Sequence, residues 1–331
     1  MTRDDAAIPV TVIGGFLGAG KTTYLNGLIA TGLPDDSLLI VNDFGDINID
    51  AELIDYRSDR VLELSNGCIC CTLGGTLAER LAEALRWWRC LGAVFIEASG
   101  VADPARIADL ARVSRRLVLE DVVCVVDASQ ADSHAADPLI GDLRGAQLAA
   151  ATRVLLNRVP GGECHRDETL YACLTRLAPG VEPEIMPAPP GREEHAAPRI
   201  SSRQAITLPA EAAGMARHAG AWVSATVTLA DPVDPDWLAA VFLEHADALV
   251  RAKGFAERRD RAGVQIVPFS GGRLGWQPAF RVPPRCQLVC IGRRGPGSTA
   301  LLEALRQASV VSRAYRLGDE RREALDARFD S

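Results

Sequence analysis

Gly15-Phe16-Leu17-Gly18-Ala19-Gly20-Lys21-Thr22 follows the pattern G-x-x-x-x-G-K-[ST] in full. Glycines at these positions let consecutive backbone N–H groups turn inward around phosphate oxygens, and a helix starting at Lys21 adds its positive end. Lys21 is placed to bridge β- and γ-phosphates, and the Thr22 hydroxyl is a hard oxygen suited to Mg²⁺. Gly15, Gly18, Ala19, Gly20, Lys21, Thr22 and Thr23 are therefore candidate nucleotide-binding residues. The cation also needs an oxygen from the end of another strand. Glu97 directly follows the apolar run Val94-Phe95-Ile96 and is that candidate, paired with Thr22 for magnesium and counted with Lys21 as catalytic. Gly100 lets the backbone approach the γ-phosphate. Asp127 closes the run Val122–Val126, either at the ligand crevice or as a helix cap. Only two of the 36 basic residues are lysines, Lys21 and Lys253. Such a chain keeps a lysine where a compact, rotatable ammonium is needed rather than a planar fork; nucleotide bias in a genome, which also converts Lys to Arg, is the alternative.

Asn66-Gly67-Cys68-Ile69-Cys70-Cys71 places three thiols within four residues. Adjacent side chains diverge, so Cys70 and Cys71 cannot share one apolar face of a strand. In a turn begun by glycine, three sulfurs can converge on one ion. Zn²⁺ prefers four ligands, so three thiolates leave a position open for transfer. Soft sulfur favours Zn²⁺ or Cu⁺, with Co²⁺ and Ni²⁺ also compatible. Inert packing and a redox thiol pair are the alternatives.

These residues need a scaffold. Val10–Ile13, Leu38–Val41, Ala93–Ile96, Val122–Val126 and Val154–Leu156 are short, continuous apolar runs, as expected of strands covered on both faces. Helical spacing follows the glycine loop from Lys21 to about Ala30 and recurs from Thr76 to about Cys90. Strand–helix alternation predicts a doubly wound, mostly parallel sheet. The pattern dissolves near Pro179 into a proline-rich stretch. It resumes with alternation over Trp222–Leu229, a helix from Asp234 to about Lys253, strands at Val264–Pro268 and Gln287–Ile291, and a helix over Ser298–Ala308.

The 331 residues carry 36 Lys+Arg against 43 Asp+Glu, a net charge of −7, which argues against a general nucleic-acid binder. No apolar run approaches the ~20 residues of a membrane span. Met1–Pro9 lacks the character of a secretory signal, so the expected location is cytoplasmic. Nine cysteines is an odd count for a disulfide framework.

Taken together, Gly14–Thr23, Val41-Asn42-Asp43-Phe44-Gly45-Asp46, Asn66–Cys71 and Glu97-Ala98-Ser99-Gly100-Val101-Ala102-Asp103-Pro104 resemble the CobW-like GTPases, relatives of those that mature urease and nickel hydrogenase. Leu249–Phe255 and Leu288–Gly292 resemble the family's C-terminal domain. The resemblance implies a P-loop NTPase-type α/β domain over 1–182 and a connecting segment over 183–220. It also implies a smaller α+β domain over 221–315 and a charged tail over 316–331. It implies Mg²⁺ with GTP, and GTP-driven delivery of a transition metal, Zn²⁺ or Co²⁺, to a client metalloprotein, with a homodimer possible. Asn42–Asp46 would be a switch, with Asp43 catalytic, and Cys68, Cys70, Cys71 and Asp46 would hold the metal. Asp43 and Asp46 stand where the family usually has Glu. After the fifth strand, Asn157 keeps the nucleotide-contact position, Arg158 replaces Lys, and Pro160 takes the place of the guanine-reading Asp. A regulator or scaffold without GTP turnover, carrying a thiol metal or redox sensor, is the alternative.

Overall fold

The structure is a computed structural model and describes residues 7–42, 61–64, 76–88, 90–159, 168–188, 221–229, 232–279, 283 and 285–306. The chain divides into two compact units, Met1–Gly220 and Ala221–Ser331. No helix among the described residues is long and apolar enough to cross a membrane.

Among the described residues, the first unit is built on seven strands: β1 (Ile8–Gly14), β2 (Leu38–Asn42), β3 (Val61–Leu64), β4 (Val94–Glu97), β5 (Leu117–Asp127), β6 (Arg153–Asn157) and β7 (Pro183–Ile185). Their order across the sheet is β3-β2-β4-β1-β5-β6-β7. Every pairing is parallel. Residues of both parities along the strands are apolar because both faces are covered. On one face Ile13, Leu39, Val41, Phe95, Val123, Val125 and Leu155 pack on Tyr24 and Leu25 of helix α1 (Lys21–Thr31). On the other, Val10, Val12, Ile40, Ile96 and Val122 meet Leu77, Leu81 and Leu85 of α2 (Thr76–Trp87) and Ile107, Ala108 and Ala111 of α3 (Pro104–Val113). Further along that face, Cys124, Val126, Val154 and Leu156 meet Leu148 and Leu174. These come from α5 (Pro138–Ala149) and α6 (Glu168–Leu177). The short α4 (Ala131–Ala136) precedes α5. This is the expected doubly wound sheet.

The topology puts a reversal of strand order at β1. The chain leaves β1 for β2 on one side and later crosses from β4 to β5 on the other, so β1 lies between β4 and β5. The carboxyl ends of strands at such a reversal form the ligand crevice of open α/β sheets.

Pro183–Ile185, where the sequence reading begins the connecting segment, is instead the edge strand β7. Proline is tolerated as the first residue of an edge strand because its missing donor faces no partner.

In the second unit, β8 (Trp222–Thr228), β9 (Leu249–Glu257), β10 (Val264–Ile266), β11 (Phe269–Ser270), β12 (Arg273–Leu274), β13 (Gln277–Pro278) and β14 (Gln287–Arg293) form an antiparallel sheet. Helix α7 (Pro235–Glu244) and a helix over 296–306 supply Leu238, Phe242, Leu301 and Leu305 to its core. The helix expected from Asp234 to about Lys253 is corrected here. It ends at His245, and residues from Leu249 on form β9, which pairs with β14, β10 and β11. Leu249 happens to continue the helical spacing of Leu238, Val241, Phe242 and His245. Pairing with several neighbouring strands overrides that local pattern.

Candidate active site

The loop from β1 to α1 closes tightly on the sheet. Gly15 has φ 129°, and a Cβ there would lie 2.2 Å from the Val125 carbonyl oxygen. Gly20 caps α1 at φ 111°, a conformation that favours glycine. The loop is internally braced by Ala19 N–H donating to the Phe16 carbonyl at 3.1 Å. Lys21 opens the helix and is 4% exposed. Its Nζ donates to the carbonyls of Gly15 at 3.0 Å and Phe16 at 3.3 Å, which sets the ammonium over the loop. Thr23 is exposed on the same first turn.

Thr22 and Glu97 are far apart in sequence and touch in space. The Thr22 hydroxyl donates to Glu97 Oε1 at 2.8 Å. Sheet register explains the meeting: Glu97 lies opposite Ile13 on β1 and opposite Val41 on β2. The Glu97 carboxylate is 2% exposed. A carboxylate at that depth is costly unless hydrogen bonds or a cation offset it. Two hard oxygens beside a phosphate cradle, one of them a buried carboxylate, fit a magnesium ion by donor chemistry.

Gly100 presses on the phosphate loop. A Cβ at Gly100 would lie 2.7 Å from Leu17 N and 2.8 Å from Leu17 Cα. On the opposite side, Asn157 at the end of β6 donates from Nδ2 to the Ala19 carbonyl at 2.8 Å. Arg158, at φ 54°, donates to the Gly18 carbonyl at 3.0 Å and pairs with Asp127 Oδ2. Of the two readings of Asp127, the structure shows the cap. Oδ1 caps the following turn, accepting from Ser129 N–H at 3.0 Å and Ser129 Oγ at 2.7 Å, while Oδ2 holds Arg158.

Asp43, Asp46, Cys68, Cys70, Cys71 and Pro160 lie outside the described residues. Among the described residues, no group of three or more His, Cys, Asp or Glu is arranged to hold a metal.

Three groups near the loop were not singled out from sequence. His134 of α4 meets the Phe16 ring edge-on at 4.9 Å between centroids. Burial lowers its pKa to about 4, helped by the Arg144 charge and opposed by Asp127. Arg144 and Gln147 of α5 are 6% and 1% exposed. Arg144 Nη1 donates to the Ala131 carbonyl at 2.8 Å. Gln147 Nε2 donates to the carbonyls of Gly100 and Ala102. The signal was present in the helical spacing: Ile140, Leu143, Arg144, Gln147 and Leu148 share the buried stripe of α5, and a polar residue on such a stripe needs a reason.

The profile of the CobW/HypB/UreG nucleotide-binding domain matches residues 9–179, and that of the cobalamin synthesis protein CobW C-terminal domain matches residues 222–309. Zinc chaperone YjiA of Escherichia coli is 32% identical over 181 residues, 52% of this chain and 56% of that protein. Zinc-regulated GTPase metalloprotein activator 1 of Dictyostelium discoideum is 33% identical over 144 residues, 37% of this chain and 30% of that protein. The matches thus span about half or less of these curated relatives. The crystal structure of Zn(II)-bound YjiA GTPase from E. coli aligns over 90% of this chain and 98% of that chain at 20% identity. Its TM-score of 0.37 is too low for geometry to be carried across. With a phosphate loop, a strand-end carboxylate and both matched domains in order, the chain belongs to the CobW/HypB/UreG family.

Proposed function

We propose that the protein hydrolyses GTP and uses the cycle to deliver a transition metal to a client metalloprotein. The observation that carries the nucleotide half is the 2.8 Å contact between the Thr22 hydroxyl and the buried Glu97 carboxylate, beside the Lys21 ammonium. Thr22 and Glu97 would hold magnesium, which when bound neutralises charge on the β- and γ-phosphates. Lys21 and the backbone N–H groups of residues 15–22 would bind the phosphates and stabilise charge on the transferring phosphoryl group. Gly15, Gly18, Ala19, Gly20, Thr23 and Gly100 would shape the cradle, and Asn157 would brace it through Ala19.

The metal half rests on Cys68, Cys70 and Cys71, with Asp46 as an oxygen ligand, and on chain connectivity. Asn42 and Leu64 are register partners at the carboxyl ends of β2 and β3, and β2 lies beside Glu97 of β4. Asp43 follows Asn42 directly. Cys68 is four residues past Leu64 in sequence. The proposed switch and carrier segments thus follow, in the chain, the ends of two strands on the Glu97 side of the sheet, which supports coupling between nucleotide and cargo. Zinc is favoured as cargo because relatives are named zinc chaperones.

The test is metal content and phosphate release of the purified protein with GTP and with GDP. Lys21→Ala should abolish turnover, and unchanged turnover would reject the phosphate-loop reading. In a Co²⁺ titration, Cys70→Ser should lose the thiolate absorption band; persistence of the band argues against chelation by the cysteines. Arg158, engaged by Gly18 and Asp127, favours one second reading, an altered base preference. Comparing GTP, ATP, ITP and XTP distinguishes it, and no turnover with any of them would support a non-catalytic regulator.

A further inference from the structure

Gln147 is buried beside the phosphate loop on a helix that contributes nothing else to the phosphate chemistry. Its Nε2 donates to the Gly100 carbonyl at 3.1 Å and the Ala102 carbonyl at 3.0 Å. Two carbonyl acceptors settle which end of the carboxamide faces them, because only the nitrogen can donate. The other end, Oε1, is buried without a hydrogen-bond partner. Gln147 also lines a small cavity beneath the loop with Phe16, Asp127, His134 and Arg144. A leucine or methionine would fill this space without the buried Oε1 but would take the donor from both carbonyls, so glutamine is there for its hydrogen bonds and not for packing.

The segment that Gln147 holds is the one between the two halves of the site. Glu97 at its start accepts from Thr22, and Gly100 in its middle abuts the Leu17 backbone. Bonds to the carbonyls of Gly100 and Ala102 fix two peptide planes of this segment. The same helix is anchored through Arg144 to Ala131, and α4 places His134 against Phe16 of the phosphate loop.

We propose that Gln147 is a positioning residue for hydrolysis: its carboxamide pins residues 98–103 against the phosphate loop, in register for the γ-phosphate. This rests on the reading of the protein as a nucleoside triphosphatase. Gln147 acts through Gly100 on the γ-phosphate side of the cradle and not on the loop of residues 15–22, which would hold the diphosphate.

The test uses the full chain with Gln147→Met and Gln147→Glu. It measures GTP turnover and the binding of GDP and of a slowly hydrolysed GTP analogue, with magnesium. Gln147→Met should lower kcat about tenfold and reduce the preference for the analogue over GDP by a similar factor, leaving the GDP Kd within about twofold. Gln147→Glu should regain turnover, relative to wild type, as pH falls from about 8 to 5.5. A protonated carboxyl can donate to a carbonyl; a carboxylate cannot, and it would turn toward Arg144. The other groups around Gln147 are His134 on α4, Cys124 and Asp127 on β5, and Glu97 and Asp103 bounding the held segment. Burial keeps His134 neutral, with a pKa of about 4, and pushes the Cys124 thiol up to about 12, so neither changes charge in this window. Asp127 is paired with Arg158.

A folded Gln147→Met protein with wild-type kcat and wild-type triphosphate preference overturns the inference. So does a Gln147→Glu pH profile parallel to wild type, a comparison that stands even if the methionine variant fails to fold. Wild type that neither turns over nor prefers the triphosphate overturns the underlying hydrolase reading instead.

Discussion

Gly100→Ala should damage hydrolysis far more than one methyl group suggests. The new Cβ would lie 2.6 Å from Leu17 Cδ2, 2.7 Å from Leu17 N and 2.8 Å from Leu17 Cα. The Leu17 side chain can rotate away, but its backbone cannot. Ordinary carbon contacts begin near 3.5 Å, so the two segments must part by roughly 0.7 Å. The phosphate loop cannot yield toward β5, because Gly15 already sits where even a Cβ would meet the Val125 carbonyl oxygen at 2.2 Å. Residues 98–103 must therefore move, against the two hydrogen bonds from Gln147. Overpacking of this kind costs about 1–3 kcal/mol, equivalent to ~2–4 °C of melting temperature per kcal/mol for a unit of this size. A displacement approaching 1 Å in a positioning segment costs up to about 100-fold in rate. Phosphate release should thus fall by about 10–100-fold, with a lowered melting temperature and GDP affinity nearly intact. Gly27→Ala is the control. Nothing lies within 4 Å of its Cβ position in α1, so it should raise stability by about 0.4–1 kcal/mol and leave turnover unchanged. A Gly100→Ala protein with wild-type turnover and melting temperature would refute the close-approach reasoning.

Two further substitutions probe the groups around the loop. Thr22→Val removes the hydroxyl that contacts Glu97 while keeping the shape, so half-maximal turnover should need at least about tenfold more magnesium, with Thr22→Ser close to wild type; an unchanged magnesium requirement in the valine variant counts against the pairing. His134 has its folded pKa lowered to about 4, so the unfolded chain takes up the proton first on acidification. Its contribution to stability is complete above pH ~6.5 and is lost as pH falls toward 4. The denaturation free energy of His134→Phe should therefore decline less steeply than wild type between pH 7 and 5; equal slopes in urea titrations would remove His134 as a source of that decline.

Much of the first unit was legible because its signals are local. Five continuous apolar runs marked central strands covered by helices on both faces. The loop from Gly15 to Thr22 carried its chemistry in contiguous residues. The short strand β7 and the strand β9 were not legible. Their boundaries depend on pairing and burial supplied by distant segments, and at β9 the local spacing pointed to a helix.

Sequence alone determined that a glycine-rich loop ending in Lys21-Thr22 follows a buried strand and that an acid ends another such strand, since both depend on neighbouring residues and on the period of apolar side chains. Tertiary structure decided which of these groups meet. Strand order brought Glu97 to Thr22 across 75 positions and Asn157 to Ala19 across 138. It also turned Gln147, a polar interruption of an apolar stripe, into a clamp on Gly100. Contacts between distant residues follow from how strands are ordered and how helices cross the sheet. Many sequences with the same local pattern could order them differently, so only the assembled fold specifies the partners.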